Sequence, residues 1–110
     1  MCEILLALGV EEMNNRKRNS NPNSELYRAM LTLRTADEFY KFFSDLCTQT
    51  EMKAIEQRYE VARMLSEGKI YNEILAETSA SSATISRVNR SLLNGEGSYH
   101  MVFSRLEEEQ

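Results

Sequence analysis

The sequence predicts an all-α fold of six helices, and three observations support this. From Ser24 onward, apolar residues recur at spacings of three and four, as in helices that bury one face. Only one proline and four glycines interrupt the 110 residues, which leaves room for helices of three or four turns. No segment convincingly shows the alternation of apolar and polar residues that is typical of a strand.

Composition places the protein among ordinary small globular domains. The chain is 42% hydrophobic and 27% charged, and its length fits one domain. No run approaches the roughly 20 apolar residues that span a bilayer. The apolar run at 4–8 follows Glu3 and no basic segment, so it does not resemble a signal peptide. We therefore expect no membrane association and a cytoplasmic location.

The sequence offers no residue set for catalysis or for a metal ion. Cys2, Cys47 and the single histidine, His100, lack the spacing of zinc ligands. His100 has no nucleophile or carboxylate at a spacing that suggests a triad, and no phosphate-binding glycine loop occurs. We expect a protein that is not an enzyme and binds no metal. Cys47 lies in an apolar run, which favours a buried free thiol.

Capping patterns mark the starts of two helices. Thr35 with Glu38, and Thr48 with Glu51, each form the Thr-x-x-Glu pattern of a capping box. The helix after Thr35 is apolar on several sides, so we expect a second chain to cover what one small chain cannot. Its aromatic cluster is interpreted as core or dimer seam and not as a cofactor site. The apolar residues of this helix are Phe39, Tyr40, Phe42 and Phe43, which form that cluster, together with Leu46 and Cys47.

Two further helices are assigned core-facing residues from their spacing. The helix after Thr48 is expected to end at Gly68 and to bury Met52, Ile55, Tyr59, Ala62 and Leu65. The last helix, Ser98 to about Glu108, is expected to bury Met101, Val102 and Leu106.

Residues 72–93 have the pattern of a helix-turn-helix. A short helix at 72–78, anchored by Ile74 and Leu75, precedes a tight turn at Ser79. Ser81 is placed to cap a second helix, which runs from Ser82 to about Leu93. The inward stripe of that second helix is expected to comprise Ile85, Val88 and Leu92.

The outward face of this second helix suits the major groove of DNA. Small residues at its start allow close approach to bases, and arginines further along can reach guanine edges or phosphates. The net charge of −4 argues against nucleic acid, but residues 81–93 contain two arginines and no acid, while acids cluster at 11–12 and 107–109. An ordinary helical hairpin with solvated serines is the alternative. The predicted DNA-binding residues are Lys69, Asn72, Ser81, Ser82, Ala83, Thr84, Ser86, Arg87 and Arg90.

The N-terminal region looks separate from this domain. Residues 14–23 are polar with one proline, so we interpret 1–23 as an arm that is flexible or forms a short helix, and 24–110 as the helical domain. The basic run at 16–18 could reach DNA phosphates, although such runs are more often only solvated.

Three blocks of the sequence match a known family. They are FFSDLCTQTE at 42–51, QRYEVARMLSEGK at 57–69 and TSASSATISRVNRSLLNG at 78–95. On these blocks, the sequence from Glu38 to Leu106 resembles the tryptophan repressor (TrpR) superfamily, most closely the small trp-repressor-related proteins of Firmicutes. The resemblance implies a TrpR-like six-helix chain in an intertwined homodimer. Two recognition helices in such a dimer imply a palindromic operator on double-stranded DNA.

The resemblance also implies an effector site between the helix at 51–67 and the recognition helix. By position, its residues correspond to Thr48, Arg58, Arg87, Val88 and Ser91. The tryptophan repressor has glycine where Val88 stands, beside the indole ring. Two extra methyl groups there disfavour tryptophan, so another small-molecule co-repressor, or none, is left open.

Together these observations predict a sequence-specific transcription regulator, which acts as a repressor in the form of a homodimer. Relatives of this type are linked to amino-acid biosynthesis genes, which makes such genes the expected targets. The alternative from another class is a helical protein-interaction dimer without DNA binding. The steep salt dependence of phosphate contacts distinguishes the two.

Overall fold

A computed structural model describes residues 21–109, which form six α-helices and no strand, as predicted. The residues at 1–20, which include most of the predicted arm, lie outside the described range. No helix within 21–109 has the length and apolar content needed to cross a membrane. The helices are α1 (Glu25–Met30), α2 (Ala36–Leu46), α3 (Gln49–Ser66), α4 (Tyr71–Thr78), α5 (Ser82–Asn94) and α6 (Ser98–Glu108).

The chain divides into two compact units, with the boundary after Phe42 inside α2. In the first unit, the described residues 21–42 form α1 and the first part of α2 and include no buried side chain. The second unit holds the end of α2 and helices α3 to α6.

The two predicted capping boxes are present, one of them altered. The Thr48 hydroxyl accepts from the Glu51 N–H at 3.1 Å, and the Glu51 carboxylate accepts from the Thr48 N–H at 2.8 Å. The Thr35 hydroxyl likewise accepts from the Glu38 N–H at 3.1 Å. The Glu38 carboxylate, however, accepts from the N–H of Arg34, one residue earlier than predicted, at 2.7 Å. Both helices therefore begin where the sequence placed them.

The core of the second unit lies between α3, α4 and α5. Leu65, Tyr99 and Phe103 pack against it half-buried, and the rings of Tyr59 and Phe103 meet edge to face at 5.7 Å. Burying these apolar side chains supplies the main favourable free energy of folding. The buried cluster consists of Val61, Ala62, Met64, Ile74, Ala80, Ile85 and Val88.

Several predicted core positions are wrong. On α3 the core takes Val61 and Met64, whereas Ile55 is exposed. On α4 only Ile74 is buried, and Leu75 is 39% exposed. The reason on α3 is that apolar residues occupy more than one face of the helix, so periodicity alone does not choose between them.

The last helix and the cysteine also differ from the prediction. On α6, Tyr99 and Phe103 pack against the core, while the predicted Met101, Val102 and Leu106 are exposed. Cys47 is a free thiol as predicted, but it is half-buried and not enclosed. An isolated chain therefore leaves much apolar side-chain surface uncovered.

Candidate nucleic-acid interface

The turn of the predicted helix-turn-helix is built around Ser79. Helix α4 ends at Thr78, and Ser79 adopts the left-handed conformation with φ 60° and ψ 19°. Its N–H donates to the Leu75 carbonyl at 3.0 Å. Ala80 follows in the core, fully buried. The tight turn predicted at Ser79 is therefore confirmed, and it places a residue with a side chain in the left-handed region.

Replacing Ser79 with glycine should stabilise the protein. A residue with a Cβ atom in the left-handed region costs about 1 kcal/mol relative to glycine. We expect Ser79→Gly to raise the melting temperature by about 4–8 °C, as for a domain of this size, with DNA binding retained. Differential scanning calorimetry at one protein concentration measures it. A lower melting temperature would contradict the strain at this position.

Helix α5, the second helix of the helix-turn-helix, begins at a well-formed cap. The Ser81 hydroxyl accepts from the Thr84 N–H and donates to the Thr84 hydroxyl, both at 3.1 Å. Ile85, Val88 and Leu92 are all buried, so the predicted inward stripe is confirmed. Because that stripe is fixed, the rotation of α5 about its own axis is fixed as well.

The opposite face of α5 is open to solvent. Thr84 is half-buried beside the cap, and the other predicted DNA-binding positions are exposed. Lys69 follows Gly68, which lies just beyond the C-terminal end of α3 and has a φ of +85°. Asn72 lies in the first turn of α4. The exposed members on the cap and on α5 are Ser81, Ser82, Ala83, Ser86, Arg87 and Arg90.

The two arginines of this face keep their charge available. Across residues 21–109 no carboxylate lies within 4.0 Å of either the Arg87 or the Arg90 guanidinium. Arg63 on α3 is the contrast, since it binds Glu60 at 2.9 Å and Glu67 at 2.7 Å. The hydrogen bonds that the Arg63 guanidinium donates to these two carboxylates raise the pKa of Arg63, and the bond to Glu60 lowers the pKa of Glu60. Arg87 and Arg90 can therefore pair with an external anion.

The residues implied for an effector are spread over different environments. The Thr48 hydroxyl is occupied as the cap of α3. Arg58, Arg87 and Ser91 are exposed, whereas the Val88 side chain is 2% exposed and belongs to the core. Val88 therefore presents little surface to a ligand.

A groove of about 330 Å³ lies elsewhere in the second unit, between α3 and α4. None of the five implied effector residues lines it. Residues not predicted from the sequence surround it, and two of them, Gln57 and Thr78, are joined by a hydrogen bond. The lining comprises Lys53, Glu56, Gln57, Glu60, Met64, Glu77 and Thr78.

Comparisons with known proteins agree with this architecture. The family described as Trp repressor protein matches residues 23–107. The uncharacterised protein YerC of Bacillus subtilis (strain 168) is 49% identical over 84 residues, which are 76% of this chain and 81% of YerC.

Two solved structures, each 47% identical in sequence, share the fold. A Staphylococcus aureus protein, described provisionally as a Trp repressor, matches with a TM-score of 0.73 over 76% of this chain and 83% of its own. A TrpR-like protein of Eubacterium eligens ATCC 27750 matches with a TM-score of 0.77 over 84% of this chain and 96% of its own. By its sequence and its fold, this chain belongs to the Trp repressor protein family.

Proposed function

We propose that this protein is a cytoplasmic transcription regulator that binds a palindromic operator as a homodimer, with α5 as the recognition helix. The observation that carries the proposal is the exposed face of α5. It combines small side chains with two arginines that pair with no carboxylate within residues 21–109, and it contains no acid. Proteins of the Trp repressor family are in general DNA-binding regulators, which supports the same reading.

The chemistry of this face suits a duplex. Ser82 and Ala83 in the first turn of α5 are small enough to let the backbone approach base edges in a major groove about 12 Å wide. The Ala83 methyl group can contact a thymine methyl. Arg87 and Arg90 lie one and two turns further on, where they can bind phosphate oxygens or guanine. We thus propose that Ser82 and Ala83 lie against the bases and that the two arginines bind phosphates or guanine.

The homodimer is supported by the apolar surface that the single chain leaves exposed. Burial of apolar surface against a second chain is favourable, so exposed apolar side chains are candidates for a dimer interface. Such residues occur on α1 and at its C-terminal cap, and on α2, α3 and α6. They include Leu26, Tyr27, Leu31, Phe39, Tyr40, Leu46, Ile55, Met101, Val102 and Leu106.

Salt dependence of binding to duplex DNA tests the role of the arginines. Each phosphate contact contributes a slope of about −0.9 to log K against log salt concentration. If each side chain binds one phosphate in each protomer, Arg87→Ala and Arg90→Ala should each flatten the slope of the dimer by about 1.8. Fluorescence anisotropy with a labelled duplex, at several salt concentrations, gives the slope.

Lys53→Ala is the matched control, because it also removes one exposed cation, from α3 and outside the recognition face. It should leave the slope unchanged. If all three variants behave alike, the arginines of α5 do not bind phosphate. A wild-type protein without affinity or slope would point to the alternative, a protein-interaction dimer.

We propose that tryptophan is not an effector of this protein. The valine at position 88 is 2% exposed and packs in the core, so it presents little surface against which an indole ring could lie. Isothermal titration calorimetry of the dimer with tryptophan should show no binding at micromolar concentrations. Micromolar affinity would contradict this proposal.

A further inference from the structure

Gln57 makes an unusual hydrogen bond. Its side-chain Nε2 donates to the backbone carbonyl of Thr78 at 2.9 Å and so joins α3 to the end of α4. Within residues 21–109, every other side-chain hydrogen bond joins positions at most eight residues apart. Gln57 is therefore the polar side chain that directly ties α3 to the helix-turn-helix.

The acceptor lies at a sensitive point of the turn. Thr78 is the last residue of α4, so its carbonyl has no partner within the helix. The Thr78 hydroxyl donates to the Ile74 carbonyl at 2.8 Å and accepts from the Ala80 N–H at 3.1 Å. The Thr78 hydroxyl thus forms hydrogen bonds with residues on both sides of the left-handed Ser79, and the Gln57 side chain forms one with the Thr78 carbonyl.

The remaining contacts between α3 and the helix-turn-helix are mainly of a different kind. They are apolar contacts in the core of Val61, Ala62, Ile74, Ile85 and Val88, which have no preferred direction. A hydrogen bond, in contrast, weakens steeply when its angle departs from linearity. The bond from Gln57 therefore restricts small rotations of the turn, and of α5 behind it, that apolar packing alone would allow.

We propose that Gln57 is a positioning residue for operator recognition, which fixes the angle of α5 relative to α3 and so the half-site spacing that the dimer accepts. This inference rests on the proposed function. Gln57 lies half-buried on α3 and acts through Thr78, so it needs no contact with DNA. A small rotation of two symmetry-related helices changes the distance between their contacts with the duplex.

The test uses the full-length protein and three duplexes. The first is the duplex that the wild type selects from a random pool, the second has its half-sites moved apart by one base pair, and the third is unrelated in sequence. Gln57→Met keeps the length of the side chain and removes the donor. We expect about a fivefold loss of affinity for the selected duplex, the size typical of one hydrogen bond. Affinity for the unrelated duplex should stay within twofold of wild type.

The ratio between the first two duplexes should also shrink about fivefold in Gln57→Met. Gln57→Glu, which presents no donor when ionised, is the second variant should the first fold poorly. Leu65→Ala is the control for destabilisation alone, because Leu65 packs half-buried on α3 against the same core and has no bond to the turn. The affinities of its folded fraction should equal those of the wild type. Equal losses on all three duplexes, or an unchanged ratio, would overturn the proposal.

Amide hydrogen exchange without DNA separates this proposal from the function on which it rests. The Ala80 N–H should exchange about fivefold faster in Gln57→Met than in the wild type, while the amides of α3 stay protected. Unchanged exchange at Ala80 would show that Gln57 does not hold the turn. A wild type that selects no duplex would instead contradict the proposed DNA binding, whatever the exchange result.

Discussion

Ile74→Ala is expected to lower the free energy of unfolding by about 3 kcal/mol, within the range found for truncation of buried isoleucine. Ile74 is 0% exposed and lies in the cluster formed by α3, α4 and α5. Removing three of its carbons loses transfer free energy and leaves a cavity that the rigid helix-turn-helix cannot fully close. Chemical denaturation at a fixed protein concentration measures the change.

The neighbouring residue supplies the control. Leu75 is 39% exposed on the same helix, so Leu75→Ala removes a similar number of carbons from a wetter site. We expect it to cost less than about 1 kcal/mol. Equal losses in the two variants would show that the core assigned to α4 is wrong. DNA binding by the folded fraction of either variant should persist, since neither side chain is among the proposed contacts.

Leu46→Glu should weaken dimer formation at least about a hundredfold, because an ionised carboxylate is costly to bury without a partner. Leu46 is 52% exposed at the end of α2, a helix with no buried residue in this chain. If a second copy covers this face, the substitution places a charge in the seam. Analytical ultracentrifugation across a range of concentrations gives the dissociation constant.

Ser44→Glu matches this substitution in charge and helix position. Ser44 is exposed on the polar side of α2, two residues away from Leu46. It should leave the dissociation constant within about threefold of wild type, because interactions of solvent-exposed charges contribute little free energy. If the wild type is monomeric, or if the two variants dissociate alike, α2 is not part of a dimer seam.

The sequence predicted α5 well because several local signals agree there. Ser81 supplies the cap, and Ile85, Val88 and Leu92 form a single stripe at spacings of three and four. Apart from Leu93 near the C-terminal end of α5, no large apolar side chain lies on another face of this helix. The turn was also predictable, since Ser79 stands between two clear helices and the capping residue Ser81 follows two positions later.

The helices that the sequence predicted less well carry apolar residues on more than one face. On α3, both Ile55 and Val61 are apolar, but only Val61 is in the core. On α6, Phe103 packs inward while Met101 stays exposed. Periodicity reports that a residue is apolar but does not report whether its own chain or a partner covers it. The exposed set is the one that we propose lies in the dimer.

Gln57 could not have been recognised from the sequence. A polar residue on a helix is most often solvated, and nothing near position 57 indicates a partner 21 residues away. Its role depends on the packing of α3 against α4, which places its amide beside the carbonyl of Thr78. The burial of Val88, in contrast, agrees with the inward stripe that the spacing on α5 predicts.

Selection of duplexes from a random pool by the purified full-length protein tests the central claim most directly. Two recognition helices related by two-fold symmetry should enrich an inverted repeat whose half-site centres lie about 10 base pairs apart. Arg87→Ala should enrich it less strongly under the same conditions. A pool that stays random after repeated selection, or one that converges on a single unrepeated site, would contradict recognition by a dimer through α5.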